Sequence, residues 1–388
     1  MKEWKTYKLE DLLSTPVRNG LTKPSSIRGK GVKMIGMGEL FANEIIRDIE
    51  MPRVPTTESE LKLSSIEKGD LLFARQSLTL EGAGKCSLVK EVTEPTVFES
   101  HIIRCRVNKS LVLPEYLYYY FRSRFGRYKI ECIVEQVAAA GIRGKDLIKI
   151  EIPVPDIQTQ RGIVDCLSTL DEKIHYNSLI NDNLEQQASS LLSDWISTYP
   201  CRTYKLSDIC KYANAKCETG NLTPQNYIST ENMLPYKKGI VEASNIPTGK
   251  ATCYKVDDIL IANIRPYFQK IWKADINGGC SADVLCIRAN IESHSPILYW
   301  LLHQDAFFEY VMTGAKGCKM PRGDKQHIMN WSIDLPEVQY WADLATQLGS
   351  IDQQIAYNRI ESINLSNLRD TLLPKLMSGE IKINEIDC

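Results

Sequence analysis

The chain has no long apolar run. None of its 388 residues belong to a stretch approaching the roughly 18 to 20 consecutive apolar residues of a bilayer-crossing helix, and Met1-Lys2-Glu3-Trp4-Lys5 leads into no apolar signal core. A cytoplasmic protein with no membrane partner is expected. Its twelve cysteines stand singly without a Cys-x-x-Cys pair, which suggests neither a zinc site nor a disulfide framework, and reduced thiols are the expectation. Histidine is scarce: His101, His175, His294, His303 and His327 offer no pair at ligand spacing except His294 and His303, which are poorly spaced to share a helix face. Also lacking are a glycine-rich S-adenosylmethionine loop, an Asn/Asp-Pro-Pro-Tyr/Phe motif and a Walker loop; Ile264-Arg265-Pro266-Tyr267-Phe268 is a superficial echo of the second. No carboxylate cluster suits a metal-dependent nuclease. These absences argue for a non-catalytic chain that needs no cofactor.

What is present occurs twice. Ile163, Leu167, Leu170, Ile174, Asn177, Asn181, Leu184, Ala188 and Leu191 are spaced 4-3-4-3 without a break, the apolar seam of a coiled coil. In phase with them, 181 residues on, stand Leu344, Leu348, Ile351, Ile355, Asn358, Ser362, Leu365, Arg369 and Leu372. Each copy opens with a proline, an acid, a β-branched residue and a glutamine, Pro155-Asp156-Ile157-Gln158 and Pro336-Glu337-Val338-Gln339. Proline suits a helix start because its missing N–H is an orphan there, and the acid faces the positive end of the helix dipole. Helices of this length would span roughly 50 Å each, too long for one small domain to cover, so each stripe is the natural partner of the other. Asn177 and Asn358, at matched seam positions, would set the register.

The repeat extends beyond the helices. Trp4-Lys5-Thr6-Tyr7-Lys8-Leu9-Glu10-Asp11-Leu12 is echoed by Cys201-Arg202-Thr203-Tyr204-Lys205-Leu206-Ser207-Asp208-Ile209, and the turn-and-strand signal Lys68-Gly69-Asp70-Leu71-Leu72-Phe73-Ala74-Arg75 by Val256-Asp257-Asp258-Ile259-Leu260-Ile261-Ala262-Asn263. A short helix follows each, around residues 114–124 and 296–307. Then come a glycine-containing basic loop, residues 140–146 or 319–325, and a last strand, residues 148–154 or 331–335. Residues 13–60 and 210–250 show no match, so a shared frame carries unlike inserts. The formal net charge of −1 conceals a division: residues 1–157 hold 25 Lys and Arg against 21 Asp and Glu, and 200–337 hold 16 against 14. The helical segments 158–199 and 338–388 hold 2 against 6 and 4 against 7. Positive charge thus sits in the globular parts.

Two globular modules alternating with matching long helices resemble the specificity subunit of type I restriction-modification systems, the family often called HsdS. The likeness is carried by Gly69-Asp70-Leu71-Leu72, Asp258-Ile259-Leu260-Ile261, the two proline-led helix starts and Leu372-Leu373-Pro374-Lys375-Leu376-Met377-Ser378-Gly379-Glu380-Ile381. Asn263-Ile264-Arg265-Pro266-Tyr267-Phe268 with Gly278-Gly279-Cys280-Ser281 also resembles a recurring second recognition module. The resemblance implies a mixed α/β (α+β) fold with long helices: two globular recognition domains separated by a two-helix antiparallel coiled-coil rod, with a pseudo-two-fold internal repeat. The expected division is 1–157, 158–196, 197–337 and 338–388. It further implies that each globular domain reads one half of a split sequence in double-stranded DNA, and that rod length decides the gap. The helices would bind two modification (methyltransferase) subunits, and the assembly would recruit the restriction subunit. A coiled-coil scaffold that binds proteins and not DNA is the alternative.

Base readout needs donors and acceptors on loops that enter a groove. The first half offers Arg18, Asn19, Lys23, Arg28, Lys30 and Lys33, then Arg75, Gln76 and Ser77 after the strand, then Arg143 and Lys145 in the glycine loop. The second offers Lys216, Asn263, Arg265, Tyr267, Lys270, Lys316, Lys319, Arg322 and Lys325. Arg143 and Arg322 stand out as recurring at matching places, which favours a phosphate contact needed by both modules, although either could instead clamp its own loop to an acidic neighbour. Gln76 and Asn263, which differ, suit base readout. Asp165, Glu172, Asp182, Glu185, Asp343, Asp352 and Glu361 are candidate partner-docking residues, with Trp195, Tyr340 and Trp341 as anchors.

Overall fold

The computed structural model describes residues 4–136 and 140–381. The chain divides into two compact units, one made of residues up to Ile174 together with those from Ile363 onward, the other of His175–Ser362. Each unit takes one globular part and a portion of both long helices, so the units cross the boundaries of the four consecutive segments expected from the sequence. The part of the fourth segment beyond residue 381 lies outside the described residues.

In the first unit the chain runs through β1 (Lys5–Lys8), β2 (Leu13–Asn19), β3 (Leu71–Ala74), β4 (Gln76–Ser77), β5 (Cys86–Val89) and β6 (Ile102–Val107). There follow α1 (Pro114–Arg122), α2 (Arg124–Glu131), β7 (Ala140–Gly141), α3 (Gly144–Leu147), β8 (Glu151–Val154) and the 42-residue helix α4 (Ile157–Thr198). A sheet forms in the order β2-β6-β3-β5, with Ile45–Ile46 at its edge. β3 is buried along its whole length, as its unbroken apolar run requires. Its start is held by Asp70, which accepts the Glu67 N–H (2.8 Å) and pairs with Arg106 on β6 (2.8 Å). Gly69, at φ +96°, supplies the left-handed turn before it. β8 returns to pair with β1, Lys5 opposite Val154, and hands the chain to α4. Asp156 begins that helix by accepting the N–H groups of Gln158 (3.1 Å) and Thr159 (3.0 Å).

The second unit repeats the plan: β9 (Cys201–Lys205), β10 (Cys210–Tyr212), β11 (Ile259–Ala262), β12 (Ile271–Lys273), β13 (Val284–Ala289), α5 (Ser295–Leu302), α6 (Asp305–Thr313), α7 (Lys325–Met329), β14 (Ser332–Pro336) and α8 (Trp341–Ser378). Its sheet order, β10-β13-β11-β12, matches that of the first unit strand for strand, and β9 pairs with β14 as β1 does with β8. Asp258 repeats the role of Asp70, accepting the Lys255 N–H (2.8 Å) and the Arg288 Nε (2.6 Å).

Both units pack α4 against α8 antiparallel. In the second, Trp195 meets Trp341 (5.8 Å between rings) while Asn177 and Asn181 lie opposite the residues around Asn358. In the first, Ile163 and Leu167 share a core with Leu373, Leu376 and Met377, and Asp171 pairs with Arg369 at 2.7 Å. Buried Asp171 also accepts the Tyr119 hydroxyl at 2.7 Å, so the arginine in the seam is neutralised where two charges would otherwise be costly. Asn177 is buried and donates to the Asn358 carbonyl (3.3 Å), Glu361 Oε2 (2.7 Å) and Ser362 Oγ (3.2 Å). Asn358 donates to Asn181 Oδ1 at 2.8 Å. These polar seam positions therefore bond across the pair, the geometry that penalises a slipped register.

Candidate nucleic-acid interface

Each central strand delivers its next residues to a basic loop. In the first unit Gln76 on β4 pairs with Gly141 on β7, and the Ile142 N–H donates to the Arg75 carbonyl (2.9 Å). Arg143, immediately after, is the N-cap residue of α3 and pairs with Glu135 at 2.5 Å, both side chains about half exposed. In the second unit Ile264 bridges Arg322, the Arg265 N–H donates to the Pro321 carbonyl (2.7 Å), and the Gly323 N–H donates to the Asn263 carbonyl (3.2 Å). Arg322 pairs with Asp283 at 3.1 Å, again half exposed. Both arginines thus engage acids in the free chain, the loop-clamping alternative, while keeping enough exposure to meet a phosphate.

Their equivalence does not hold. By these pairings Gly141 is the equivalent of Arg322 and Ile142 that of Gly323, so the counterpart of Arg143 is Asp324, which stands at the N-cap position of α7 as Arg143 does at that of α3. Asp324 accepts the Lys316 ammonium (2.6 Å) and the Gln326 and His327 N–H groups, led by the lysine, and is pushed down to about 2. The backbone equivalence keeps the 181-residue offset of the long helices, from which the match of arginine to arginine is displaced by two positions.

Arg75, Gln76 and Arg143 are brought together in one unit, and Asn263, Arg265, Lys316 and Arg322 in the other, with Lys319 exposed in the same loop as Arg322. Lys145 and Lys325 are exposed on the short helices that follow, the latter over the Tyr212 ring at 5.7 Å. Other candidates are placed differently. Lys23 is tied to both oxygens of Glu60 (2.9 and 3.0 Å), an acid whose pKa this contact lowers. Arg28 and Lys30 flank Gly29, which donates to the Arg53 carbonyl (2.8 Å). Lys33 pairs with Asp48 and Glu94. Arg18 is exposed on β2 opposite Arg104. Lys270 is half-buried and donates to the Thr230 carbonyl (2.6 Å), and burial lowers its pKa. Asn263 does not present its amide oxygen for readout: Oδ1 is buried without a hydrogen-bond partner among the described residues and lies 2.8 Å from where a Cβ on Gly323 would stand.

Residues up to 186 match the family model described as type I restriction modification DNA specificity domain. A type I restriction enzyme specificity subunit of Methanocaldococcus jannaschii, MjaIX, is 23% identical over 99% of this chain and 95% of its own length. The EcoKI specificity subunit of Escherichia coli is 26% identical over 57% of this chain, a match spanning 44% of that protein. The crystal structure of the type I restriction-modification S subunit from M. genitalium shares the fold, with a TM-score of 0.58, 16% identity and 96% coverage of both chains. The chain is thus similar to type I restriction-modification specificity subunits, in sequence over its first 186 residues and in fold over nearly its whole length.

That similarity draws attention to the helices, and there several expected docking residues serve the fold instead. Trp195 and Trp341 are buried in the core of the second unit, donating to the Tyr340 and Pro336 carbonyls (2.9 and 2.8 Å). Tyr340 stacks on Tyr199 at 4.3 Å. Glu172 is held by Arg47 and Lys90, and Asp352 by Lys273 (2.6 Å) and the Trp300 indole (2.8 Å). Burial pushes Glu185 up to about 7. Glu361 accepts from Asn177, leaving Asp165, Asp182 and Asp343, of the expected docking acids, exposed on the helix pair. Among the described residues no helix is long and apolar enough to cross a membrane.

Proposed function

We propose that this chain reads a bipartite sequence in double-stranded DNA for a type I restriction-modification enzyme, one half-site per unit, and performs no catalysis itself. The observation that supports it is the repeated juxtaposition at the strand ends: Arg75-Gln76 beside Gly141-Ile142-Arg143, and Ile264-Arg265 beside Pro321-Arg322-Gly323. One frame bearing unlike side chains is what two readers of different half-sites require, since backbone contacts can be shared while base contacts must differ. On this reading Arg143 and Arg322 exchange Glu135 and Asp283 for phosphate oxygens on binding. Gln76 and Arg265 address base edges, while Lys145, Lys319 and Lys325 approach the backbone. The helix pair carries two modification subunits, with Asp165, Asp182 and Asp343 on its outward face, and the assembly recruits a restriction subunit.

The test is co-production with the methyltransferase subunit encoded nearby, followed by genome-wide mapping of methylated adenines. One split motif, two short halves with a fixed gap, is the expected result, with DNA affinity falling steeply as salt rises. No methylated motif, together with salt-insensitive association with proteins alone, would instead favour a scaffold.

A further inference from the structure

Each unit holds a large apolar side chain in solvent on the segment that leaves its central strand beside the basic loop. In the first it is Leu78, 99% exposed, and in the second Tyr267, 46% exposed. An exposed leucine by itself says little, because much of any protein surface is apolar. Leu78 differs in being held out. Ser77 pairs with Ala140, Ser77 Oγ accepts the Thr79 N–H (3.1 Å), and Thr79 Oγ1 accepts the Gly82 N–H (3.2 Å). Gly82 closes the loop so tightly that a Cβ there would stand 2.1 Å from Ser77 Oγ. Tyr267 is fixed by other means: Arg265 and Gln269 on either side of its turn adopt left-handed φ values of +51° and +50°. Non-glycine residues held there store strain, which collects at functional sites.

We propose that Leu78 and Tyr267 are the methyl-sensing contacts of the two half-site readers, each packing against the C5-methyl group of a thymine in the major groove. This rests on the DNA-reading function proposed above. The neighbour of each tip, Gln76 or Arg265, carries hydrogen-bond donors suited to base edges, and the apolar feature among those edges is the thymine methyl. The strands behind Leu78 form a three-stranded sheet of two-residue strands, and paired strands are admitted by the major groove, about 12 Å wide, and not by the minor groove of about 6 Å.

The probe is a duplex bearing the mapped methylation motif in which single thymines are replaced by deoxyuridine, a change that removes one methyl group. With the chain in complex with its methyltransferase subunit, methylation should slow about fourfold at one thymine in each half-site, the worth of one buried methyl-sized group. Leu78→Ala should slow the thymine duplex and abolish the response to deoxyuridine in the first unit's half-site only; Tyr267→Ala should do so in the other, and Tyr267→Phe should keep it. The inference is overturned if no single replacement slows methylation, if a variant slows thymine and deoxyuridine duplexes equally, or if a half-site contains no A·T pair. A wild-type complex that methylates no motif refutes the DNA-reading function itself, and this inference with it.

Discussion

Removing Arg288 should destabilise the second unit more than neutralising the aspartate it holds. The Asp258 side chain is 2% exposed, whereas that of Arg288 keeps 32% of its surface in water. The carboxylate accepts Arg288 Nε and Nη2, both at 2.6 Å, and the Lys255 N–H at 2.8 Å. In Arg288→Met the apolar stem is retained and the buried carboxylate is left with its backbone donor and the Cys286 thiol at 3.5 Å. Breaking a buried pair in this way costs about 3–5 kcal/mol, and the surviving backbone bond places this case near 3. In Asp258→Asn the arginine turns to water and the loss is that of charge-assisted bonds, about 1.5 kcal/mol. The difference, also about 1.5 kcal/mol, is roughly a tenfold ratio of opening constants. Two compact units make whole-chain denaturation a poor readout, so the comparison belongs in amide hydrogen exchange of β11 and β13. Equal protection loss in the two variants, or a larger loss in Asp258→Asn, would refute the reasoning.

The pH response of the second unit is expected to have two opposing limbs. Glu185 is pushed up to about 7 by burial and then by Asp182, against Lys237, so stability is highest while it is protonated and falls as pH rises from about 4.5 to 7. His303, pushed down to about 3 by burial and then by Lys237, contributes stability above pH 6.5 that is lost as pH falls toward 3. Amide hydrogen-exchange protection of β11 and β13 across this range, corrected for the intrinsic exchange rate at each pH, should lose the upper limb in Glu185→Gln and the lower one in His303→Leu; unchanged profiles would count against both assignments. In the seam, Asn181→Leu and Asn358→Leu each break the bond between these two side chains (2.8 Å) and should each cost about 1–2 kcal/mol, and the double variant should cost less than their sum. Strict additivity in the opening free energies from hydrogen exchange of the second unit would show that the two do not act through a shared bond.

The long helices are legible because a 4-3 spacing repeated 181 residues on is the mark of two helices that pair with each other, and β3 and β11 because apolar runs follow turn signals. The function of their leading aspartates is not, since Asp70 meets Arg106 and Asp258 meets Arg288 only once the sheet forms. Equivalent positions also hide behind different residues: Gln160 Nε2 donates to the Pro155 carbonyl (2.9 Å) as Trp341 Nε1 does to that of Pro336 (2.8 Å). At the candidate interface the basic loops are visible in the sequence, but their alignment is displaced. Lys23 reads as available because Glu60, far along the chain, gives no local sign of pairing with it. Leu78 gives no signal at all, because a leucine in a sequence reads first as core.

The division of the helices also imposes an order on synthesis. Ile163 and Leu167 emerge early, yet Leu373, Leu376 and Met377, which complete their core, belong to the segment from Ile363 onward. The intervening His175–Ser362 must be translated first, which at about 5–20 residues per second occupies on the order of ten to forty seconds. For that interval the first unit carries an open apolar seam on the ribosome. Its last closing strip is supplied only after the second unit has been made, so the half that begins folding first is the half that finishes last.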